Sequence, residues 1–198
     1  MSETAIYGIG GHARSVCSLL MACGYAVKGY YHPNGKQNEY LLGTTPFLGA
    51  FPNDQEVVIA IGDNEIRADL MTQLPFVKKE MVAHPTSHVD DRVIFGDANT
   101  VFAQAYIGPE VSIGNNNILN TGCIVEHEVK IGSHNHISIG SILAGRVTIG
   151  DRCFIGAGAV IKNKVTIGSD ITIGAGAVVV KDILDPGVYV GNPAKPLR

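Results

Sequence analysis

Residues 147–179 read VTIGDRCFIGAGAVIKNKVTIGSDITIGAGAVV. Every sixth residue in this stretch is a branched aliphatic: Ile149, Ile155, Ile161, Ile167, Ile173 and Val179. The same step run backwards stays in register through Leu143, Ile137, Ile131, Val125, Leu119, Ile113, Ile107 and Val101 to Phe95, all apolar. Glycine follows many of them, at Gly96, Gly108, Gly114, Gly132, Gly150, Gly156, Gly168 and Gly174. A helical face needs a period of 3.6, so a period of six is not helical. It suits a short strand, a corner and the next strand. Side chains alternate along a strand, so each sixth residue and the residue two before it point inward together. The latter positions carry small or narrow residues, among them Asn99, Ala105, Asn117, Cys123, Asn135 and Cys153. Gly and Asn are expected to relieve the corners where φ turns positive. Three sides close a triangular coil, and the coils stack as a β-solenoid over 95–179, with a partial coil from Val89.

Composition narrows the function classes. The chain has 198 residues, 45% hydrophobic and 17% charged, with 24 glycines and no tryptophan. A disordered chain would be more charged and less apolar. The net charge of -3 argues against a nucleic-acid partner, which would call for a basic surface. No apolar run is long enough for a membrane span, and the N-terminus carries no charged n-region, so membrane insertion and a signal peptide are not expected. Cys17, Cys23, Cys123 and Cys153 show neither a C-x-x-C pair nor zinc spacing, which fits free thiols in a reducing cytoplasm.

Residues 1–84 lack the period of six. Thr4 to Gly8 reads as a buried strand, and His12 to Cys23 as a helix with an apolar stripe at Val16, Leu19, Leu20 and Cys23, closed by Gly24. Tyr25 to Tyr31 reads as a second strand, 32–45 as loop, and Glu56 to Gly62 as another buried strand. Asp63-Asn64 caps a helix to about Gln73, and Val77 to Ala83 adds a short strand. This order predicts a small parallel sheet with crossover helices. His84-Pro85 marks the boundary, giving domains at 1–84 and 85–198.

Two places carry chemistry. Gly8-x-Gly10-x-x-Ala13 between strand and helix fits the loose dinucleotide fingerprint, with the helix N-terminus offering N–H groups to phosphate. The second strand ends Tyr30-Tyr31-His32-Pro33, with no carboxylate for a ribose, so a phosphate or nucleotide-sugar contact is expected rather than NAD. Gly62 lies on the same edge, and the crevice between it and the Gly10 loop is the natural ligand site. Glu126-His127-Glu128 falls on a corner of the repeat, where side chains leave the dry interior. An imidazole beside a carboxylate suits a general base. Gly145 stands one coil on from His127 and could present its N–H to an acyl carbonyl. The spacings of His127, His134 and His136 do not match a three-histidine zinc site, so no metal is expected. Cys123 and Cys153 fall at inward positions and read as core rather than nucleophile.

The repeat resembles the left-handed parallel β-helix of hexapeptide-repeat acyltransferases, and Gly191-Asn-Pro-Ala-Lys195 is similar to their common ending. The whole chain resembles the NeuD/PglD-type sugar acetyltransferases through Gly8-Ile-Gly-Gly-His-Ala13, Val58-Ile-Ala-Ile-Gly-Asp-Asn-Glu-Ile-Arg67, Leu119-Asn-Thr-Gly-Cys-Ile-Val-Glu-His-Glu128 and His136-Ile-Ser-Ile-Gly140. The resemblance implies a small Rossmann-like domain followed by the left-handed β-helix. It implies a cytoplasmic homotrimer moving acetyl from acetyl-CoA to the 4-amino group of a nucleotide-linked sugar, for bacterial surface-glycan or glycoprotein sugars. By position it implies His127 as base, Glu128 as its supporting carboxylate, and His136 with the Gly145 backbone as thioester contacts. It implies backbone contacts from Ala157 and Ala175 to pantetheine, and a nucleotide-sugar site at Gly10, Gly11, His12 and Gly62. Members carry an acidic pair that reads uracil where this chain has His32-Pro33. That departure implies weaker discrimination between bases, or a preference other than uridine, with His32 facing the base. O-acetylation of a sialic-acid-type sugar and non-catalytic nucleotide-sugar binding are the alternative readings.

Overall fold

The structure, a computed structural model, describes residues 2–197; the outermost residues of the two expected domains, Met1 and Arg198, lie outside it. Glu3–Tyr7 (β1), Gly11–Ala22 (α1), Ala26–Tyr31 (β2), Tyr40–Leu41 (β3), Thr45–Gly49 (β4), Val57–Ile59 (β5) and Asn64–Gln73 (α2) form an N-terminal α/β unit. Its sheet has the order β3-β4-β2-β1-β5. β1 is central and pairs in parallel with β2 on one side and β5 on the other, so the strand order reverses beside it. Ligands of such sheets bind at the carboxyl ends of the strands at this reversal. The ends of β1, β2 and β5 here are Tyr7, Tyr31 and Ile59.

Two of these strands run against the expectation that 32–45 is loop. β3 lies inside it, and β4 begins at its last residue, pairing in parallel with β2 and antiparallel with β3. Two residues of β3 carry no periodic signal, and β4 contains Pro46 and ends at Gly49, residues that normally break strands. Val77 to Ala83 also divides. Val77 bridges to Val57 of the α/β sheet, whereas Val82–Ala83 pairs with Thr100–Val101 of the solenoid. The solenoid therefore takes its first strand from just ahead of His84-Pro85.

From there the chain winds a parallel β-helix with three faces, as the period of six required. One face carries strands starting at Val82, Thr100, Ile118, His136, Phe154 and Ile171; the next those at His88, Tyr106, Ile124, Ile142, Val160 and Val178; the third those at Ile94, Ser112, Lys130, Thr148 and Thr166. Each strand stacks on the one 18 residues away, as in Ile124↔Ile142 and Val125↔Leu143. The sixth-residue positions and those two before them line one continuous interior, from Val101 through Leu143 to Val179. The tail continues the first face with Gly187–Val190, which pairs with Ile171–Ile173, and folds back through Lys195–Pro196. The N-terminal unit packs on the lower part of this face, where Ile118 and Phe102 join the core of α1.

The corners turn through positive φ as expected, at Gly and Asn but at other residues too. Positive φ falls three residues after each apolar position, at Ala98, Gln104, Glu110, Asn116, Gly122, Glu128, His134, Gly140 and onward. The glycines directly after the apolar positions serve close approach instead. A Cβ on Gly114 would lie 2.7 Å from the Gly132 carbonyl oxygen of the next coil, and one on Gly132 would lie 2.7 Å from that of Gly150. The inward asparagines also do more than bend the chain. Asn99 Oδ1 accepts from the Asn117 N–H at 2.9 Å, Asn117 Oδ1 from Asn135 N–H at 2.8 Å, and Asn135 Oδ1 from Cys153 N–H at 2.6 Å. This ladder satisfies one corner of an otherwise dry interior.

Candidate active site

β1 delivers the chain to α1 through Gly8-Ile9-Gly10. Gly8 has φ of +150°, and a Cβ there would lie 2.5 Å from the Ala60 carbonyl oxygen, so only glycine fits between β1 and β5. Gly10 is the N-cap of α1 and supplies no side-chain cap; no acidic residue occupies the first turn. The first N–H groups of α1 therefore keep their donor capacity and the positive end of the dipole. Nothing would meet a Cβ on Gly10 or Gly11, so the backbone is open to a ligand. α2 is the opposite case: Asp63 Oδ1 accepts from Ile66 N–H at 3.0 Å and Glu65 adds an acidic first turn. Of the two helices among the described residues, only α1 presents an unfilled anion-binding end.

Gly62 lies against His12, whose Cβ is 3.8 Å from where a Gly62 Cβ would stand. The His12 ring packs on Phe102 at 5.7 Å and faces His136 at 5.8 Å, and its buried Nε2 has no partner among the described residues. Burial, with His136 and Arg67 nearby, pushes the His12 pKa down to about 3. His136 projects from its strand toward the N-terminal unit. Its Nδ1 lies 3.4 Å from the Gly62 carbonyl oxygen and its Nε2 lies 3.0 Å from Asn120 Nδ2. A carbonyl only accepts and an amide nitrogen only donates, so His136 carries its proton on Nδ1. Burial and Arg67 lower its pKa to about 4, keeping it neutral. A cavity of about 580 Å³ opens beside it, walled by Gly62 to Glu65 and by Arg152, Phe154, Asp170 and Thr172. His32 sits at the end of β2 with its ring 6.3 Å from that of Tyr7. Its Nδ1 accepts from Asn34 N–H at 3.1 Å, which leaves the proton of the neutral ring on Nε2 as an outward donor.

His127 stands at the corner between the second and third faces, half exposed. Its Nδ1 lies 2.9 Å from Glu128 Oε2. The carboxylate accepts, so Nε2 is the free basic nitrogen of the neutral ring. Nε2 hangs over Gly145, where a Cβ would come within 2.5 Å of it. The Gly145 N–H has no acceptor among the described residues. Glu128 sits at φ +61° and also accepts from Arg146 Nε at 2.9 Å. His127 and Arg146 together hold its carboxyl below the usual range. Ala157 and Ala175 occupy successive exposed corners, one coil apart, where Gly176 N–H donates to the Ala157 carbonyl at 2.8 Å.

The structure thus gathers the sequence-derived residues into two groups. His127, Glu128 and Gly145 meet at one corner. Gly10, Gly11, His12, Gly62 and His136 meet where the N-terminal unit covers the first face. In a three-sided coil that face lies across the prism from the corner between the other two. Within one chain His136 therefore stands with the nucleotide-sugar candidates, apart from the Gly145 backbone with which the resemblance pairs it as a thioester contact. His134 lies at a third place, its Nδ1 3.0 Å from Asn116 Nδ2. Among the described residues no group of three His, Cys, Asp or Glu is placed to hold a metal ion. Burial pushes the thiols of Cys123 and Cys153 up to about 12 and about 11, so both are core thiols.

Residues 3–74 match the PglD N-terminal domain family, residues 128–163 the bacterial transferase hexapeptide family (six repeats), and residues 146–181 the hexapeptide repeat of succinyl-transferase. Among solved structures, the acetyltransferase domain of PglB from Neisseria gonorrhoeae is 32% identical, with 100% of each chain covered and a TM-score of 0.89. The chain belongs to the NeuD/PglD-type sugar acetyltransferases. A mutant of perosamine N-acetyltransferase from Caulobacter crescentus, in complex with CoA and GDP-perosamine, is 32% identical over 100% of this chain and 97% of that one, with a TM-score of 0.90. WeeI from Acinetobacter baumannii is 27% identical over 99% and 100%, with a TM-score of 0.89. A search among curated proteins finds no match. As a member of this family the chain is an acyltransferase. Three residues without a role in the sequence reading now join the site: Arg146 on Glu128, Asn120 on His136, and Arg67 behind Gly62. Arg146 had a readable signal, since it lies one coil after Glu128. Arg67 stood inside a quoted motif, but only the fold shows what it touches.

Proposed function

We propose that this protein transfers the acetyl group of acetyl-CoA to the amine of a nucleotide-linked amino sugar. The observation that carries the reading is the His127–Glu128 pair over Gly145, on a chain that matches acetyl-CoA- and GDP-perosamine-binding enzymes along its whole length. The sugar amine attacks the thioester carbon in its neutral form. Nε2 of His127 takes the amine proton as the new C–N bond forms, and Glu128 stabilises the imidazolium through Nδ1–H. The Gly145 N–H faces the developing oxyanion. The intermediate collapses to the amide and CoA thiolate, which takes the proton back from His127. The pantetheine arm runs along the corners at Ala157 and Ala175. Phosphates lie on the uncapped N-terminus of α1 at Gly10 and Gly11, and His12 and Gly62 wall the sugar.

The two groups of residues lie on opposite sides of one prism, so a single chain does not close this site. A homotrimer supplies the second half, bringing His127 of one subunit to the cavity of its neighbour. The second face suits the contact: beyond His88 its outward ladder is Tyr106, Ile124, Ile142, Val160 and Val178, whereas the third face shows Ser112, Lys130, Thr148 and Thr166 after an exposed Ile94 at its first strand. His32, a donor where an acidic pair would accept, favours a base presenting an acceptor. A panel of UDP-, dTDP-, GDP- and CMP-linked amino sugars with acetyl-CoA, read by release of free thiol, tests the reading. Turnover with at least one sugar supports it. Absence of thiol release across the panel contradicts it.

A further inference from the structure

Arg67 lies on α2, points out of the N-terminal unit and is 1% exposed. No carboxylate stands within salt-bridge distance of it among the described residues. An unpaired buried charge is destabilising unless its donors are filled, and an apolar residue of like size would pack at less cost. All its donors are filled, and by two different parts of the chain. Nη1 donates to the Ile61, Gly62 and Asp63 carbonyls at 3.2–3.3 Å, in the turn that ends β5. Nε donates to the Asn116 carbonyl at 3.1 Å, and Nη2 to the carbonyls of His134 and Asn135 at 2.9 and 3.0 Å, all on one corner of the β-helix. Asn64 completes the knot: its Oδ1 accepts from Nη2 at 2.9 Å while its Nδ2 donates to the Cys153 carbonyl at 2.9 Å. One planar fork therefore fixes the Gly62 turn to the coil that carries His136.

The Gly62 carbonyl is the point of contact with the site. It accepts from Arg67 Nη1 and faces His136 Nδ1–H, which leaves Nε2 of His136 to Asn120. We infer that Arg67 is a positioning residue for the nucleotide-sugar site: it holds the Gly62 turn and the His136 ring in one fixed geometry across the domain boundary. This rests on the acceptor site proposed above. The charge has a second effect. Of the titratable groups packed on His136, His12 comes from α1 and Arg67 from α2, and the guanidinium opposes a proton on either imidazole.

Arg67→Lys and Arg67→Gln test the assignment. Lysine keeps the charge but cannot reach both carbonyl sets, so KM for the nucleotide sugar should rise about tenfold to a hundredfold, the scale of one or two lost charged hydrogen bonds. The Kd for acetyl-CoA should stay within about threefold. In Arg67→Gln the charge is gone, and the His136 imidazole, followed by NMR, should begin to protonate at higher pH than in the wild type; in Arg67→Lys it should not. Should Arg67→Gln fail to fold, Arg67→Lys alone decides. A folded Arg67→Lys with wild-type sugar KM overturns the inference, as does one in which sugar KM and acetyl-CoA Kd worsen together. If the wild type acetylates no sugar, the functional reading fails instead. The positioning role is then read from the His136 NMR spectrum at neutral pH: a resonance that moves in Arg67→Lys supports it, and an unmoved one overturns it.

Discussion

The pair at the corner rests on two contacts, His127 Nδ1 on Glu128 and Nε2 over Gly145, and each can be removed separately. His127→Ala should lower kcat by about 10²–10⁴, the usual weight of a general base, with acetyl-CoA binding kept. The side chain is half exposed, so thermal stability should hardly change. Gly145→Ala places a methyl where Nε2 now lies, displacing a flexible ring rather than backbone, so it should cost activity about tenfold or more with Tm nearly unchanged. Wild-type rates in either variant would remove that residue from the mechanism. The buried histidines give a pH effect of known sign. His12 and His136 are neutral when folded, with pKa values near 3 and 4, while unfolded histidine takes up a proton near pH 6.5. The unfolded chain therefore binds more protons over that interval, and stability should fall as pH drops from about 6.5 toward 4, by a few kcal/mol in all. Denaturant titrations at pH 7 and pH 4.5 check it; equal midpoints would contradict the neutral assignment. At this scale the sequence placed His127, Glu128 and Gly145 correctly beside one another, because an 18-residue coil turns spacing directly into contact. The separation of His136 from Gly145 within one chain was not legible, since which face of the prism the N-terminal unit covers is not written in the period.

Among the elements, the solenoid was legible and the sheet edge was not. Fifteen consecutive hexads carry their own redundancy, so a weak residue such as Phe95 cannot break the register. β3 and β4 have no such support: their pairing with β2 comes from tertiary neighbours and not from local pattern. The corners make the same point. Glycine proves to have two uses: Gly122, Gly140, Gly158 and Gly176 do take the left-handed corner position, which also tolerates Glu128, Arg146 and Lys164, while the close approach of the next coil demands Gly114 and Gly132. The asparagine ladder gives a test at this scale. Asn117→Ala orphans the Asn135 N–H and the Gly132 carbonyl that Asn117 now pairs, and should destabilise the fold by about 2–4 kcal/mol in urea. A loss below about 0.5 kcal/mol, the level of an ordinary surface change, would show that the ladder is not what satisfies this corner.

In the whole molecule, subunits must complete one another's site. Light scattering should give about 63 kDa, three times the 20.9 kDa chain mass. Ile142→Asp on the second face should shift the mass toward the single chain and abolish acetyl transfer together. A fully active monomer would contradict the division of the site between subunits. The proposed chemistry moves acetyl from sulfur to a sugar nitrogen with His127 as base. The most direct measurement follows CoA release with a nucleotide-linked 4-amino sugar and with its 4-hydroxy counterpart, for the wild type and His127→Ala. CoA release and an amide product are expected with the amino sugar alone, and both should be lost in His127→Ala. An ester formed on the hydroxy sugar, or binding of the nucleotide sugar without any CoA release, would contradict it.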